Sequence, residues 1–208
     1  MKYYEGLPIF ELTLDNADGL QYISIVDKPA IKSTFLCFSE DVKEQFSIQD
    51  EEKHIISGLV LIPDLPIFRK KDNRGYYVKF SKNTIEQLVE KFFNEQKTLS
   101  INVDHSIPVD NVVIIESYFI NHERGISPKE FANYPDGSWY ISMKVNDDDL
   151  WQHIKNGQLN GFSVEGLFEL VELSDVSDIE IPDVPQIKVV DIKQPTESLW
   201  DVIARYLD

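Results

Sequence analysis

A serine between two glycines is the residue best suited to chemistry in this sequence. Residues 161–166 read GFSVEG, with Ser163 on a short extended segment. A histidine, His105, ends the earlier run NVDH. A serine hydroxyl is a poor nucleophile until a base removes its proton, and histidine is the usual base. The pair therefore predicts acyl transfer, and in particular the cleavage of a peptide bond.

Both residues also have a plainer structural interpretation. Strand alternation places Ser163 and Glu165 on the less apolar face of their segment, where a serine needs no function. The flanking glycines favour a site, because they permit a substrate chain to approach the backbone closely. His105 shares the strand parity of Val103, so it is expected to face a partly apolar environment. A histidine at the edge of the core, bonded to a backbone carbonyl, is the alternative there.

Other chemistries find less support in the sequence. The segment around Ser163 is not a lipase-type nucleophile elbow, because Glu165 stands where that motif needs glycine and a strand follows. The histidine spacing predicts no metal cage, and Cys37 has no partner thiol, so no metal or cofactor is expected. The acidic run 147–149 could hold a hard cation, but acids at the start of a helix also complement its dipole.

The elements that must position the pair are mostly short strands. Residues 99–104 are predicted as the strand before His105, and residues 162–171 as the strand of Ser163. Helices are predicted from Ser81 or Asn83, from the run 146–149 to Gly157, and from Thr196 toward the end of the chain. Because crossover helices are mostly missing, the pattern of roughly eight to ten strands favours an antiparallel barrel or sandwich.

Composition limits the class of protein. The 208 residues predict N-terminal strands and an acidic linker at 1–53, then a compact domain at 54–208 with a C-terminal helix. A net charge of −16 argues against a nucleic-acid footprint and against docking to anionic lipid. The single cysteine excludes an internal disulfide, and no signal peptide or long apolar run is seen. We therefore expect a protein of the cytoplasm.

An ordered set of short motifs is more specific than any single position. The chain resembles the prohead, or capsid maturation, proteases of tailed phages, and within them the XkdF-like serine proteases. The resemblance covers roughly residues 20 to 170. It rests on residues 22–30, 56–64, 76–81, 102–105, 116–118, 137–141, 150–151, 157 and 161–166.

The resemblance implies a fold and a set of site residues. The fold is a mainly β (α+β) structure, an antiparallel β-barrel of the herpesvirus-assemblin type with about three peripheral helices. The catalytic histidine and serine carry over to His105 and Ser163. Asp191, on the last predicted strand, is the favoured third member, as the order of the family suggests, and Glu165 and Glu116 are alternatives.

The resemblance also implies partners and a place. The substrates would be the scaffold and major capsid proteins, cleaved within the immature phage head in the host cytoplasm. Activity is expected to depend on dimerisation or on packing within the prohead. A catalytically silent structural protein of the head, using the same barrel as a binding module, is the alternative function. An unrelated esterase is a third interpretation.

Overall fold

The structure is a computed structural model that describes residues 2–14, 19–26, 47–71 and 74–172. Several predictions fall outside these residues: Cys37, the last predicted strand with Asp191, and the terminal helix.

One mixed sheet contains the strands nearest the N-terminus. Its strands are β1 (Lys2–Tyr4), β2 (Leu7–Thr13), β6 (Ile67–Lys71), β7 (Arg74–Lys79) and β13 (Glu169–Glu172). The order is β1-β2-β7-β6, and β13 also pairs with β2. The β2–β7 pair is parallel, whereas the other pairs are antiparallel.

Two further sheets complete the described fold. An antiparallel sheet has the order β10-β11-β5-β4, formed by β4 (Ser47–Asp50), β5 (Ile55–Leu61), β10 (Val112–Phe119) and β11 (Trp139–Val145). The third sheet, with the order β12-β3-β8-β9, contains β3 (Gly19–Val26), β8 (Ile101–Val103), β9 (Ile107–Pro108) and β12 (Gly161–Leu167). In this sheet β3 runs antiparallel to β12 and parallel to β8.

Two α-helices flank the sheets in the described part of the chain. Helix α1 (Lys82–Asn94) has Ser81, one of the two predicted caps, as its N-cap, and the Ser81 hydroxyl accepts from the amide of Thr84. Helix α2 (Asp148–Lys155) begins at the predicted acidic run. Its N-cap Asp147 accepts from the amide of Leu150. Short 3₁₀ turns cover Lys97–Leu99 and Lys129–Phe131.

The hydrophobic core joins all three sheets to both helices. Its fully buried side chains include Leu12, Ile23, Ile25, Ile56, Leu88, Phe92, Trp139, Met143, Trp151 and Val164. A smaller cluster forms around Ile62, Phe131 and Tyr140. Because strands from every sheet contribute to one core, no strand that carries a candidate site residue can shift without disturbing this packing.

The predicted antiparallel barrel is wrong. The described strands form three separate sheets, no closed barrel is found among them, and two of the pairings are parallel. The two α-helices described account for two of the three predicted. The physical reason lies in the pattern itself. Alternation reports which face of a strand is buried and says nothing of which strand lies beside it.

Strands from the predicted N-terminal segment pair directly with strands from the predicted compact domain. Strand β2 pairs with β7, and β3 lies between β8 and β12.

The described residues contain no helix long and apolar enough to span a membrane.

The glycine that ends the GFSVEG run serves the contact between β12 and β3. A Cβ at Gly166 would lie 2.4 Å from the carbonyl oxygen of Gly19, beside a register shift between the two strands. This glycine therefore admits the neighbouring strand of the same chain.

We expect Gly166→Ala to lower the free energy of unfolding by about 1–3 kcal/mol, because the obstructing atom belongs to the backbone. Urea denaturation measures this change. Leu167→Ala, at the next and exposed position of β12, is the control and should change stability by less than about 0.5 kcal/mol. Equal effects from the two substitutions would contradict this account.

Candidate active site

Three polar residues lie side by side across the third sheet. The register places Ser163 of β12 opposite Ser24 of β3, and Ser24 beside Asn102 of β8. Side chains directly opposite one another on paired strands have Cβ atoms about 4.5–5.5 Å apart. The opposite face of these strands carries core residues such as Ile23 and Val164. The predicted placement of Ser163 away from the main apolar layer is therefore confirmed.

His105 lies on the turn that follows β8. Asp104 and His105 have φ angles of 47° and 58°, and the amide of Ser106 donates to the carbonyl of Val103 at 3.1 Å. Two successive residues with positive φ are the pattern of a type I′ turn. The prediction that His105 follows the strand parity of Val103 is therefore wrong, because the chain reverses first.

This turn concentrates backbone strain at the histidine. A left-handed conformation costs about 1–2 kcal/mol for an ordinary residue, although aspartate and histidine adopt it more readily than most. Residues held in this way cluster at functional sites. At His105 the turn brings the imidazole over Ser24 and Glu165, on the polar face of the sheet.

One carboxylate oxygen joins the side chains together. Oε1 of Glu165 lies 3.0 Å from Nδ1 of His105, accepts from Oγ of Ser24 at 2.9 Å and accepts from Nδ2 of Asn102 at 2.6 Å. Oγ of Ser24 also lies 2.9 Å from Nδ1 of His105. We call Ser24, Asn102, His105, Ser163 and Glu165 the polar cluster.

The contacts of Ser24 determine which nitrogen of His105 carries a proton. A serine hydroxyl has one hydrogen, and Ser24 donates it to Glu165. Toward Nδ1 of His105, Ser24 can then only accept, and an ionised carboxylate is also only an acceptor. Nδ1 therefore bears a proton, so that Nε2 is the basic atom whenever the imidazole is neutral.

Burial and hydrogen bonding act in opposite directions on the Glu165 carboxyl. Burial raises its pKa, whereas the hydrogen bonds with His105, Asn102 and Ser24 and the charge of His105 lower it. The lowering effects win, so the pKa of Glu165 lies below its ordinary value. Glu165 is only 6 % exposed, so it is a buried carboxylate and not a solvated residue on the strand surface.

The Ser163 hydroxyl is buried and unsatisfied. The residue is 2 % exposed, and its Oγ has no hydrogen-bond partner in the described part of the chain. A buried polar group without a partner costs about 1–3 kcal/mol, so such groups are few in native proteins. In this conformation Ser163 lies opposite Ser24 on the neighbouring strand, but its hydroxyl is not bonded to His105.

The candidates for a third member separate clearly in space. Glu165 contacts His105 directly, whereas Glu116 lies on β10 and accepts from the hydroxyl of Ser142 in another sheet. Asp191 lies outside the described residues. Among the two described carboxylates, only Glu165 is placed to orient the imidazole.

Sequence reasoning assigned no role to Ser24 or Asn102. Each is a lone polar residue between two branched apolar residues on a strand, Ile23 and Ile25 in one case and Ile101 and Val103 in the other. Such a residue either faces solvent or is buried with partners. Both are buried. The sequence signal that could have drawn attention to them is that each lies in a motif of the resemblance, residues 22–30 and 102–105.

The remaining histidines belong to other surroundings. His54 stacks on Trp151 with ring centroids 4.6 Å apart, and His122 contacts Asp136. His153 contacts Gln158. Among the described residues, no group of three or more histidine, cysteine or acidic side chains is arranged to hold a metal ion.

Two surface pockets lie away from the polar cluster. One, of about 570 Å³, lies between α1 and the end of β10. The other, of about 600 Å³, lies beside α2. Neither is lined by a residue of the polar cluster, which agrees with the burial of Ser163.

Comparison with known proteins identifies the family. The family described as "Putative phage serine protease XkdF" matches residues 42–172, a range that contains Asn102, His105, Ser163 and Glu165. The chain belongs to this family. The membership that the sequence motifs indicated is therefore confirmed.

Two relatives from Bacillus subtilis (strain 168) show the extent of the similarity. The chain is 26 % identical over 161 residues to "Phage-like element PBSX protein XkdF", covering 74 % of this chain and 54 % of that protein. It is 24 % identical over 164 residues to "Uncharacterized protein YqbD", covering 74 % and 46 % respectively. The chain thus spans about half the length of the curated relatives it matches. No solved structure matches it significantly.

The lowered pKa of Glu165 predicts a pH-dependent contribution to stability. A carboxyl whose pKa is lower when folded stabilises the protein above its unfolded pKa, and this contribution is lost as pH falls through the folded pKa. Glu165→Gln keeps an acceptor oxygen but cannot ionise. We expect the difference in unfolding free energy between the two proteins to shrink as pH falls below the ordinary glutamate value of 4.5.

Urea denaturation between pH 7 and pH 3 measures that difference. Glu86→Gln, on the outer surface of α1, is the control and should leave the pH dependence nearly unchanged. A constant difference between wild type and Glu165→Gln across this range would contradict the assignment of Glu165 as an ionised, hydrogen-bonded carboxylate.

Proposed function

We propose that the chain is a serine endopeptidase in which Ser163 is the nucleophile, His105 the general base and Glu165 the third member. The contact between Glu165 Oε1 and His105 Nδ1 at 3.0 Å carries this proposal, on the face of the sheet that also presents Ser163. A carboxylate on Nδ1 orients the imidazole and leaves Nε2 for the nucleophile. Membership in a family described as phage serine proteases supports the same reaction.

The proposed reaction has two stages. Nε2 of His105 takes the hydroxyl proton as Ser163 Oγ attacks the scissile carbonyl, and the imidazolium then gives that proton to the leaving amine. Water next attacks the acyl-enzyme, giving a proton to His105, which returns it to Ser163 as the acid product leaves. Glu165 stabilises the imidazolium and takes no proton. A positioned base contributes about 10²–10⁴-fold to the rate.

The burial of Ser163 sets a condition on this mechanism. A hydroxyl that is 2 % exposed is closed to a peptide, so the neighbourhood of Ser163 must open, and its side chain must turn toward Nε2 of His105. Hydrogen bonds in unliganded active sites are often long or poorly aligned and tighten with substrate. Dimerisation or packing within the prohead would supply the opening, which would confine cleavage to the assembling particle.

The place and the substrates are also part of the proposal. We propose that cleavage acts on scaffold protein, major capsid protein or both during head maturation, within the prohead in the host cytoplasm. Support comes from the family description and from the relative named as a protein of a phage-like element. The net charge of −16 fits polypeptide rather than nucleic-acid partners.

A catalytically silent structural role in the head is the second candidate. It is favoured by one observation, the sealed and unpaired hydroxyl of Ser163. In that case the fold would bind scaffold or capsid protein without cutting it. Labelling by a fluorophosphonate, which reacts with activated serines, separates the two functions.

We expect Ser163→Ala to abolish cleavage of co-expressed capsid and scaffold proteins while the fold is retained, because the nucleophile is removed. Mass spectrometry of the co-expressed proteins is the measurement. Ser142→Ala, another fully buried strand serine but outside the polar cluster, is the matched control and should preserve cleavage. Unchanged processing with Ser163→Ala, or no labelling of wild type in any assembly state, would refute the protease assignment.

We expect Glu165→Gln to lower the rate of fluorophosphonate labelling at Ser163 by roughly 10²–10⁴-fold at pH 7, since an amide cannot stabilise the imidazolium. The comparison uses proteins shown to be equally folded by circular dichroism. Glu116→Gln is the control, because its carboxylate contacts Ser142 and not the imidazole. A greater loss with Glu116→Gln would transfer the role to that residue.

A further inference from the structure

Two residues outside the proposed triad surround its carboxylate. We propose that Ser24 and Asn102 are positioning residues that hold Glu165 in place and fix His105 as the Nδ1–H tautomer. This inference rests on the proposed function of the polar cluster. Both residues are buried, at 0 % and 4 % exposure, and both donate to the Glu165 oxygen that faces His105.

The Asn102 amide supplies the shortest of the contacts to Glu165. Its Nδ2 lies 2.6 Å from Oε1 of Glu165, and its orientation follows from chemistry, because a carboxylate accepts and cannot donate. Strand β8 fixes the amide in the row beside Ser24. Asn102 therefore clamps the carboxylate from a strand that belongs to the same sheet as β12 but lies two strands away.

Ser24 joins the carboxylate and the imidazole. It gives its only hydrogen to Glu165 and so presents a lone pair to Nδ1 of His105. The neutral Nε2–H tautomer would place two lone pairs, those of Nδ1 and the Ser24 oxygen, against each other at 2.9 Å. Ser24 therefore disfavours the tautomer in which Nε2 could not accept the proton of Ser163.

Removing either residue should weaken this arrangement while the binding of substrate stays unchanged. Without Asn102, one donor to Oε1 is lost and the carboxylate gains freedom to turn away from Nδ1. Without Ser24, the repulsion against the Nε2–H tautomer is lost. Hydrogen bonds to charged groups are among the stronger ones in proteins, so each loss should lower the rate of the chemical step by about 10–100-fold.

The test compares Ser24→Ala and Asn102→Leu with wild type in two measurements. The first is the maximal rate of fluorophosphonate labelling at Ser163, separated from the probe concentration at half-maximal rate. The second is the ¹⁵N spectrum of the histidines, with the His105 signals assigned from a His105→Gln variant. Ser57→Ala is the matched control, since Ser57 is also a buried strand serine with two side-chain hydrogen bonds.

We expect the neutral imidazole of His105 in wild type to carry its proton on Nδ1 and none on Nε2. Both cluster variants should lose maximal rate by about 10–100-fold at an unchanged half-maximal concentration, and should show Nε2–H signal. Ser57→Ala should match wild type. The inference would be overturned if both cluster variants kept the wild-type rate and tautomer, or if Ser57→Ala lost as much rate as they did. In either case, labelling of wild type at Ser163 would still support the protease proposal. If wild type is never labelled, the protease proposal fails and the tautomer alone decides the role of Ser24 and Asn102.

Discussion

A buried carboxylate surrounded by donors governs the architecture of this site. Glu165 lies within the third sheet, where burial alone would favour its neutral form, and hydrogen bonds with His105, Asn102 and Ser24 reverse that preference. All three contacts fall on one oxygen. The charge can therefore persist only while three separate strands or turns keep their register, and the rest of the sheet is arranged to hold them.

Register is what places the site residues together. Ser163, Ser24 and Asn102 occupy one row across β12, β3 and β8, and the other face of these strands packs into the core. A slip of one residue on any strand would send its polar side chain into the apolar layer. The core thus specifies the geometry of the polar cluster, although it contributes no atom to the chemistry.

The sequence was informative about faces and elements and less so about pairing. Helix α1 and its cap, helix α2 and its acidic start, and the polar face of Ser163 were all predicted from local patterns. The barrel was not correct, since alternation carries no information on partners. His105 was assigned to a strand because the residue types around it do not indicate the left-handed turn that the structure has there. Glu165 was only one of several candidates, as its contact with His105 joins segments far apart in the chain.

That long separation has a consequence for synthesis. The Ser24–Glu165 contact spans 141 positions and the Ser24–His105 contact 81, so the polar cluster depends on some of the least local pairings of the fold. Contacts of this kind form slowly, because the chain loses the entropy of a long loop before the contacts can stabilise it. On a ribosome, Ser24 and His105 emerge well before β12 exists. In the proposed protease, a growing chain would therefore lack an assembled nucleophile and base, and neither it nor its neighbours would be exposed to cleavage until translation had passed β12.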